Sequence, residues 1–137
     1  MESNKNFSGM KVYIKAVAEN GQTFEEYHVN GIDGPLHNAH GPAFTNRRHD
    51  GIVIEEKYYC EGKLHRDGAP AVIERSSNDG TVSKEEYWRN GVLHRDDGPA
   101  VVLRNPDGSE FGQKQWRDGR FIPAADAKSS PTSAKTR

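Results

Sequence analysis

Apolar and polar positions alternate over short stretches of this chain, and no helix-sized window carries a 3.6-residue apolar period. Val101-Val102-Leu103 is a short apolar run that ends at Asn105-Pro106-Asp107-Gly108, and Val72-Ile73-Glu74 ends likewise at Ser77-Asn78-Asp79-Gly80. An aspartate–glycine pair between strand-like runs favours positive φ and a tight hairpin. A second strand follows each such turn, as from Thr81 to Arg89, and closes at Asn90-Gly91. Val12-Tyr13-Ile14 followed by Glu19-Asn20-Gly21 predicts a first hairpin that caps the series. Pro99 stands just before the next strand, where a residue without an N–H does not interrupt a ladder.

The pattern repeats. Glu85 to Val102, containing Tyr87-Trp88-Arg89-Asn90-Gly91 and Leu93-His94-Arg95-Asp96, has an earlier copy from Glu56 to Ile73. That copy contains Tyr58-Tyr59-Cys60-Glu61-Gly62 and Leu64-His65-Arg66-Asp67. A third copy begins at Glu25-Glu26-Tyr27-His28-Val29-Asn30-Gly31, carries an insertion around Ile32-Asp33-Gly34-Pro35, and resumes at Leu36-His37. A fourth, Lys114 to Phe121, stops before any Leu-His element. Gly31, Gly62, Gly91 and Gly119 form one periodic series, and Gly21, Gly51, Gly80 and Gly108 form another. Two series in step define a repeat protein. The expected fold is all-β: about three and a half β-hairpin repeats in an elongated antiparallel meander. It occupies residues 11–122, after an N-terminal arm at 1–10 and before a disordered, weakly basic tail at 123–137.

Composition fits a thin array. Of 137 residues, 33% are hydrophobic and 28% charged, too few apolar groups for a thick core but enough for one seam between neighbouring repeats. Counting back from the first glycine series gives two columns, Tyr27, Tyr58, Tyr87, Gln115 and His28, Tyr59, Trp88, Trp116. Strand alternation puts them on opposite faces. The tyrosine column is expected inside and the second partly outside, although alternation alone also admits the reverse.

The net charge of −1 supplies no global field for nucleic acid or an anionic membrane, and neither partner is expected. The single cysteine, Cys60, excludes an intramolecular disulfide and a cysteine-based zinc cluster. With no apolar leader and no run long enough to span a bilayer, a cytoplasmic location is expected.

Tyr87-Trp88-Arg89-Asn90-Gly91 followed by His94-Arg95-Asp96-Asp97-Gly98-Pro99-Ala100 resembles the variant MORN-type repeats of bacterial and bacteriophage proteins. The resemblance covers roughly residues 11–122. The period is longer than the standard MORN unit, and Leu-His-Arg-Asp with Pro-Ala replaces much of its second glycine pattern. The resemblance implies hairpin repeats and a role in docking proteins, or by an older suggestion phospholipids, with no catalytic residue to carry over.

Candidate chemistry is sparse. His37, His65 and His94 share one repeat position, and Asp67 and Asp96 stand two residues beyond the last two, which suggests metal ligands. Ala39 breaks that pattern, so turn-stabilising roles are the better reading and neither metal nor cofactor is expected. His-Arg-Asp also occurs in kinase catalytic loops, but the asparagine needed five residues later is replaced by Val72 and Val101. Ser76, Ser77 and Ser83 lack a nucleophile elbow, and Cys60 lacks a placed base. The acid pairs Glu25-Glu26, Glu55-Glu56 and Glu85-Glu86 read as a solvated strand edge.

Tyr59, Trp88, Arg89, Trp116 and Arg117 combine the residue types that dominate protein interfaces, and they are the expected partner-binding set. The leading expectation is a non-enzymatic protein-binding module. If the chain is phage-encoded, as the resemblance permits, it would act in the host cytoplasm as an inhibitor occluding a host defence complex. One alternative is a small-molecule or nucleotide binder using His65, Arg66, His94 and Arg95; another is a peripheral lipid-binding scaffold. Open β edges also admit a homodimer. The insertion Ile32 to Pro35 is the expected specific contact loop.

Overall fold

The structure is a computed structural model that describes residues 12–123; the expected arm at 1–10 and the expected tail beyond Pro123 lie outside the described residues. Every described element is a strand. They are β1 (Val12–Glu19), β2 (Gln22–Val29), β3 (Phe44–Arg48), β4 (Val53–Lys57), β5 (Tyr59–Cys60), β6 (Lys63–Leu64) and β7 (Val72–Arg75). There follow β8 (Val82–Glu86), β9 (Trp88–Arg89), β10 (Val92–Leu93), β11 (Val101–Arg104), β12 (Glu110–Arg117) and β13 (Arg120–Ile122). Nine form one antiparallel sheet in the order β1-β2-β3-β4-β7-β8-β11-β12-β13, the expected meander. Among the described residues no helix is long and apolar enough to cross a membrane.

The strand expected from Thr81 to Arg89 divides in two. Main-sheet strand β8 ends at Glu86, Tyr87 makes a corner, and β9 pairs with β10 in a separate short hairpin. Tyr58 makes the same corner between β4 and the β5–β6 hairpin. Each unit is therefore a long hairpin in the main sheet followed by a short one beside it. The short turns carry positive φ at both central residues, as at Asn90 (50°) and Gly91 (87°), the type I′ geometry that suits right-twisted strands.

The interior is a row of small side chains. Ala43, Ala71 and Ala100, one per unit, are fully buried, with Val29, Val72, Ile73 and Val102 around them. Each alanine carbonyl accepts a tyrosine N–H, at 2.8 Å for Tyr27 within β2 and 2.7 Å for the corner residues Tyr58 and Tyr87. The backbones thus approach closely where the chain changes sheet, leaving room for only a methyl group. Neither aromatic column is the core. Tyr27, Tyr58, Tyr87, Tyr59, Trp88 and Trp116 are all half-buried, and His28, expected in the outer column, is buried.

The recurring acids are not at a strand edge. They occupy β2, β4 and β8, each paired on both sides. The residues equivalent by distance from the corner tyrosine are Glu25, Glu56 and Glu85. Each faces an arginine of the following strand: Glu25–Arg47 at 3.7 Å, Glu56–Arg75 at 3.1 Å and Glu85–Arg104 at 2.9 Å. A register shift falls at or just before each arginine, and such bulges re-aim side chains. Each guanidinium also donates to its own turn's glycine carbonyl, at 3.4, 3.2 and 3.0 Å to Gly51, Gly80 and Gly108.

Candidate functional site

The short hairpins and the Leu-His loops make one side of the array. At each joint the turn glycine of one unit donates its N–H to the leucine carbonyl of the unit before: Gly62 to Leu36, Gly91 to Leu64 and Gly119 to Leu93, at 2.8–2.9 Å. A histidine clasps each joint beside that bond. Nδ1 of His37, His65 and His94 accepts the backbone N–H of Glu61, Asn90 and Asp118, at 3.0, 3.0 and 2.8 Å. A nitrogen that accepts an N–H carries no proton, so the neutral ring has its proton on Nε2. In His94 that nitrogen donates to Asp96 at 2.8 Å, and in His65 it lies 3.2 Å from Asp67.

The arginines of the same loops are also engaged within the array. The guanidinium of Arg66 lies over the Tyr58 ring and donates to the Pro70 carbonyl at 3.1 Å; Arg95 lies over Tyr87 and donates to Pro99 at 3.0 Å. His65, Arg66, His94 and Arg95, singled out as ligand residues, thus each hold a loop or a joint. Among the described residues no group of three or more His, Cys, Asp and Glu is placed to hold a metal ion.

Two depressions lie along this side. The narrower, about 280 Å³, runs between Asp67, Gly68, Trp88, Arg89, Asp96 and Asp97. The wider, about 880 Å³, sits at the first joint over Tyr58, Tyr59 and Cys60, walled by Asn38, Ala39 and His40 and bounded by Asp67 and Glu61. The difference follows from the loops. His37-Asn38-Ala39-His40 stands where the next unit has His65-Arg66-Asp67-Gly68. Asn38 and Ala39 line the wider depression where their equivalents Arg66 and Asp67 line the narrower one. Asn38 keeps the proline-carbonyl bond, donating to Pro42 at 3.0 Å, but its side chain is too short to extend over a tyrosine ring as Arg66 does.

The expected partner-binding residues do not form one surface of equal character. Tyr59 lines the wide groove, and Trp88 and Arg89 line the narrow one. Trp88 Nε1 donates to Glu86 at 2.9 Å, and Arg89 pairs with Asp96 at 3.0 Å. Trp116 packs against Phe121 with ring centroids 5.5 Å apart, and Arg117 is exposed. The insertion at Ile32 to Pro35 closes on its own unit: Gly34 donates to Gly31 at 2.9 Å, Val29 donates to Pro35 at 3.1 Å, and His28 Nδ1 lies 2.7 Å from the Gly34 carbonyl. Residue 34 must be glycine here, since a Cβ would sit 1.9 Å from the Val29 carbonyl oxygen.

Asn38, His40 and Glu61 are the groove residues that sequence reasoning passed over. The departure of Asn38-Ala39 from Arg66-Asp67 is visible in the sequence, but that it opens a groove depends on what stands opposite. No protein-family model, curated protein or solved structure matches the chain.

Proposed function

We propose that this chain is a non-enzymatic docking module that binds another protein through the side formed by its short hairpins, with the wide groove at Tyr59 as the centre of contact. The observation that carries the reading is the local break in the repeat. The second and third loops carry Arg66-Asp67 and Arg95-Asp96, whereas the first carries Asn38-Ala39, and beside it about 880 Å³ lies open over the half-buried Tyr59. A half-exposed aromatic in a concave, rigidly backed site is the usual anchor of a protein interface. The resemblance to MORN-type repeats points the same way. The small-molecule reading has less support, because Arg66 and Arg95 already serve tyrosine rings and proline carbonyls.

The test is affinity capture from source-cell lysate with the intact chain beside Tyr59→Ala and Ala39→Arg variants. A stoichiometric partner retained by the intact chain and lost from both variants supports docking in the groove. A partner held equally by all three places the interface elsewhere.

A further inference from the structure

We infer that the last hairpin, β12–β13, is a second docking surface, which takes an extended acidic segment of a partner protein as an added strand along β13. It is separate from the wide groove and rests on different residues.

Inside the array each short hairpin receives the next unit in the same way. The carbonyls of Leu64 and Leu93 accept the N–H of the next turn glycine. That glycine packs beside the residue that follows the earlier turn: a Cβ on Gly91 would lie 3.7 Å from the Lys63 side chain, and one on Gly119 3.4 Å from Val92. In the last hairpin the equivalent positions are Phe121 and Arg120, and β13 ends the sheet. Arg117 and Arg120 flank the two-residue turn and exchange backbone bonds, so the next pair, Trp116 and Phe121, turn their N–H and C=O groups outward. The Trp116 carbonyl is taken by the unit before, accepting the Arg95 N–H at 3.2 Å. Phe121 presents its donor and acceptor on the opposite edge, where no described strand follows.

Charge selects the occupant. Arg89 pairs at 3.0 Å with Asp96, which comes from the Leu-His-Arg-Asp loop after its hairpin. Arg117 is the equivalent of Arg89, but no such loop follows it, and the residue at the same sequence distance is Ala124. Arg120 stands directly opposite Arg117. Like charges in that position repel, and the earlier hairpins avoid the clash by pairing Arg89 with Val92 and Cys60 with Lys63. Of the lysine and arginine side chains described, only Lys63, Lys114, Arg117 and Arg120 meet no carboxylate, ring or carbonyl of a described residue. Lys114, Arg117 and Arg120 all lie exposed on the last hairpin. An acidic segment supplies there the carboxylate that Asp96 supplies to Arg89.

Strand alternation sets which side chains the segment needs. Arg117 and Arg120 share one face of the hairpin, and Trp116 with Phe121 the other. Phe121 is 51% exposed. A segment of alternating acidic and apolar residues therefore puts carboxylates beside the guanidinium pair and apolar groups against Phe121. A polynucleotide would meet the same cations but has no row of N–H and C=O groups to match a strand edge, and an added peptide strand does.

The probe is a capped peptide of about eight residues alternating valine and glutamate, titrated at low salt into the ¹⁵N-labelled full-length chain and followed by NMR. Saturable shifts are expected at Arg117, Arg120, Phe121 and Ile122, with Tyr59, Cys60 and Glu61 of the wide groove unmoved. The double variant Arg117→Gln/Arg120→Gln should bind the peptide about fivefold or more weakly, while Arg117→Lys/Arg120→Lys should keep most of the affinity. The same peptide N-methylated at every residue cannot join a ladder and should produce no saturable shift, and neither should a valine–lysine peptide. Absence of saturable shifts at millimolar valine–glutamate peptide overturns the proposal, as do shifts centred on the wide groove. Equal binding of the N-methylated or the lysine peptide overturns it as well, as does full affinity in the double glutamine variant. A single-stranded oligonucleotide that binds the same residues more tightly would replace the acidic segment with a nucleic acid. Shifts along β13 that appear when the chain alone is concentrated would replace it with a second copy.

Discussion

Arg95 lies over Tyr87, its guanidinium carbon 3.9 Å from the ring centroid, and Arg66 repeats the arrangement over Tyr58 at 3.8 Å. The stack is closed from the other side by the loop, since a Cβ on Gly98 would meet the Arg95 guanidinium at 3.0 Å. A planar group thus fills the slot between ring and backbone while donating to Pro99.

Arg95→Lys should lower stability by about 1–2 kcal/mol, since an ammonium keeps the charge but loses the planar stack and the directed bond to the proline carbonyl. Thermal or urea denaturation measures this. A loss as large in Arg89→Lys, whose pair with Asp96 is exposed, would show that charge and not stacking holds the loop.

Ala71→Leu should cost about 1–3 kcal/mol, because the added methylenes have no volume to enter at the corner where the Ala71 carbonyl meets the Tyr58 N–H. The same substitution at exposed Ala39 should be nearly neutral in a melting experiment.

Glu61 holds φ at 51°, the left-handed region that Asn90 and Asp118 occupy in the equivalent turns. A glutamate pays a steric cost there that asparagine largely escapes, so Glu61→Asn should stabilise the chain by about 0.5–1 kcal/mol at neutral pH. Chemical denaturation with an unchanged m-value would be the supporting result; a loss of stability would mean that the Glu61 carboxylate itself holds the joint.

Stability should decline with acid in two windows. In the first, the depressed pKa of His37 makes the folded state bind fewer protons, so stability is lost as pH falls below about 6.5. In the second, Asp50, Asp79, Asp96 and Asp107 all sit below the ordinary 3.8. Asp50 is held there mainly by Arg48, Asp79 by the Thr81 N–H and hydroxyl, Asp96 by Arg89 and His94, and Asp107 by Ser109. Their contribution is present above 3.8 and is lost as pH falls through the lower folded values. A melting temperature that stays flat from neutral pH down to about pH 4.5 would remove the first window.

Much of the fold was legible because hairpin signals are local. Asn20-Gly21, Asn90-Gly91 and Asp107-Gly108 set turn geometry within a few residues, and the repeat spacing indicated that units stack. The corner at Tyr87 was not legible, since the run from Val82 to Arg89 contains no Gly, Pro, Asn or Asp to mark a break. The division falls at Tyr87, whose N–H donates to the Ala100 carbonyl.

The sequence by itself determined the all-β class, the period, the positions of the turns and the odd character of the first unit, since each depends on residues near one another in the chain. Tertiary structure alone decided that the interior is a row of alanines, that Glu56 and Glu85 answer Arg75 and Arg104, and that three histidines join successive units. Those features link groups about a repeat apart, 24 residues from His37 to Glu61 and 19 from Glu56 to Arg75. Whether such groups meet is fixed by strand register and bulge position, which alternation of apolar and polar residues does not encode.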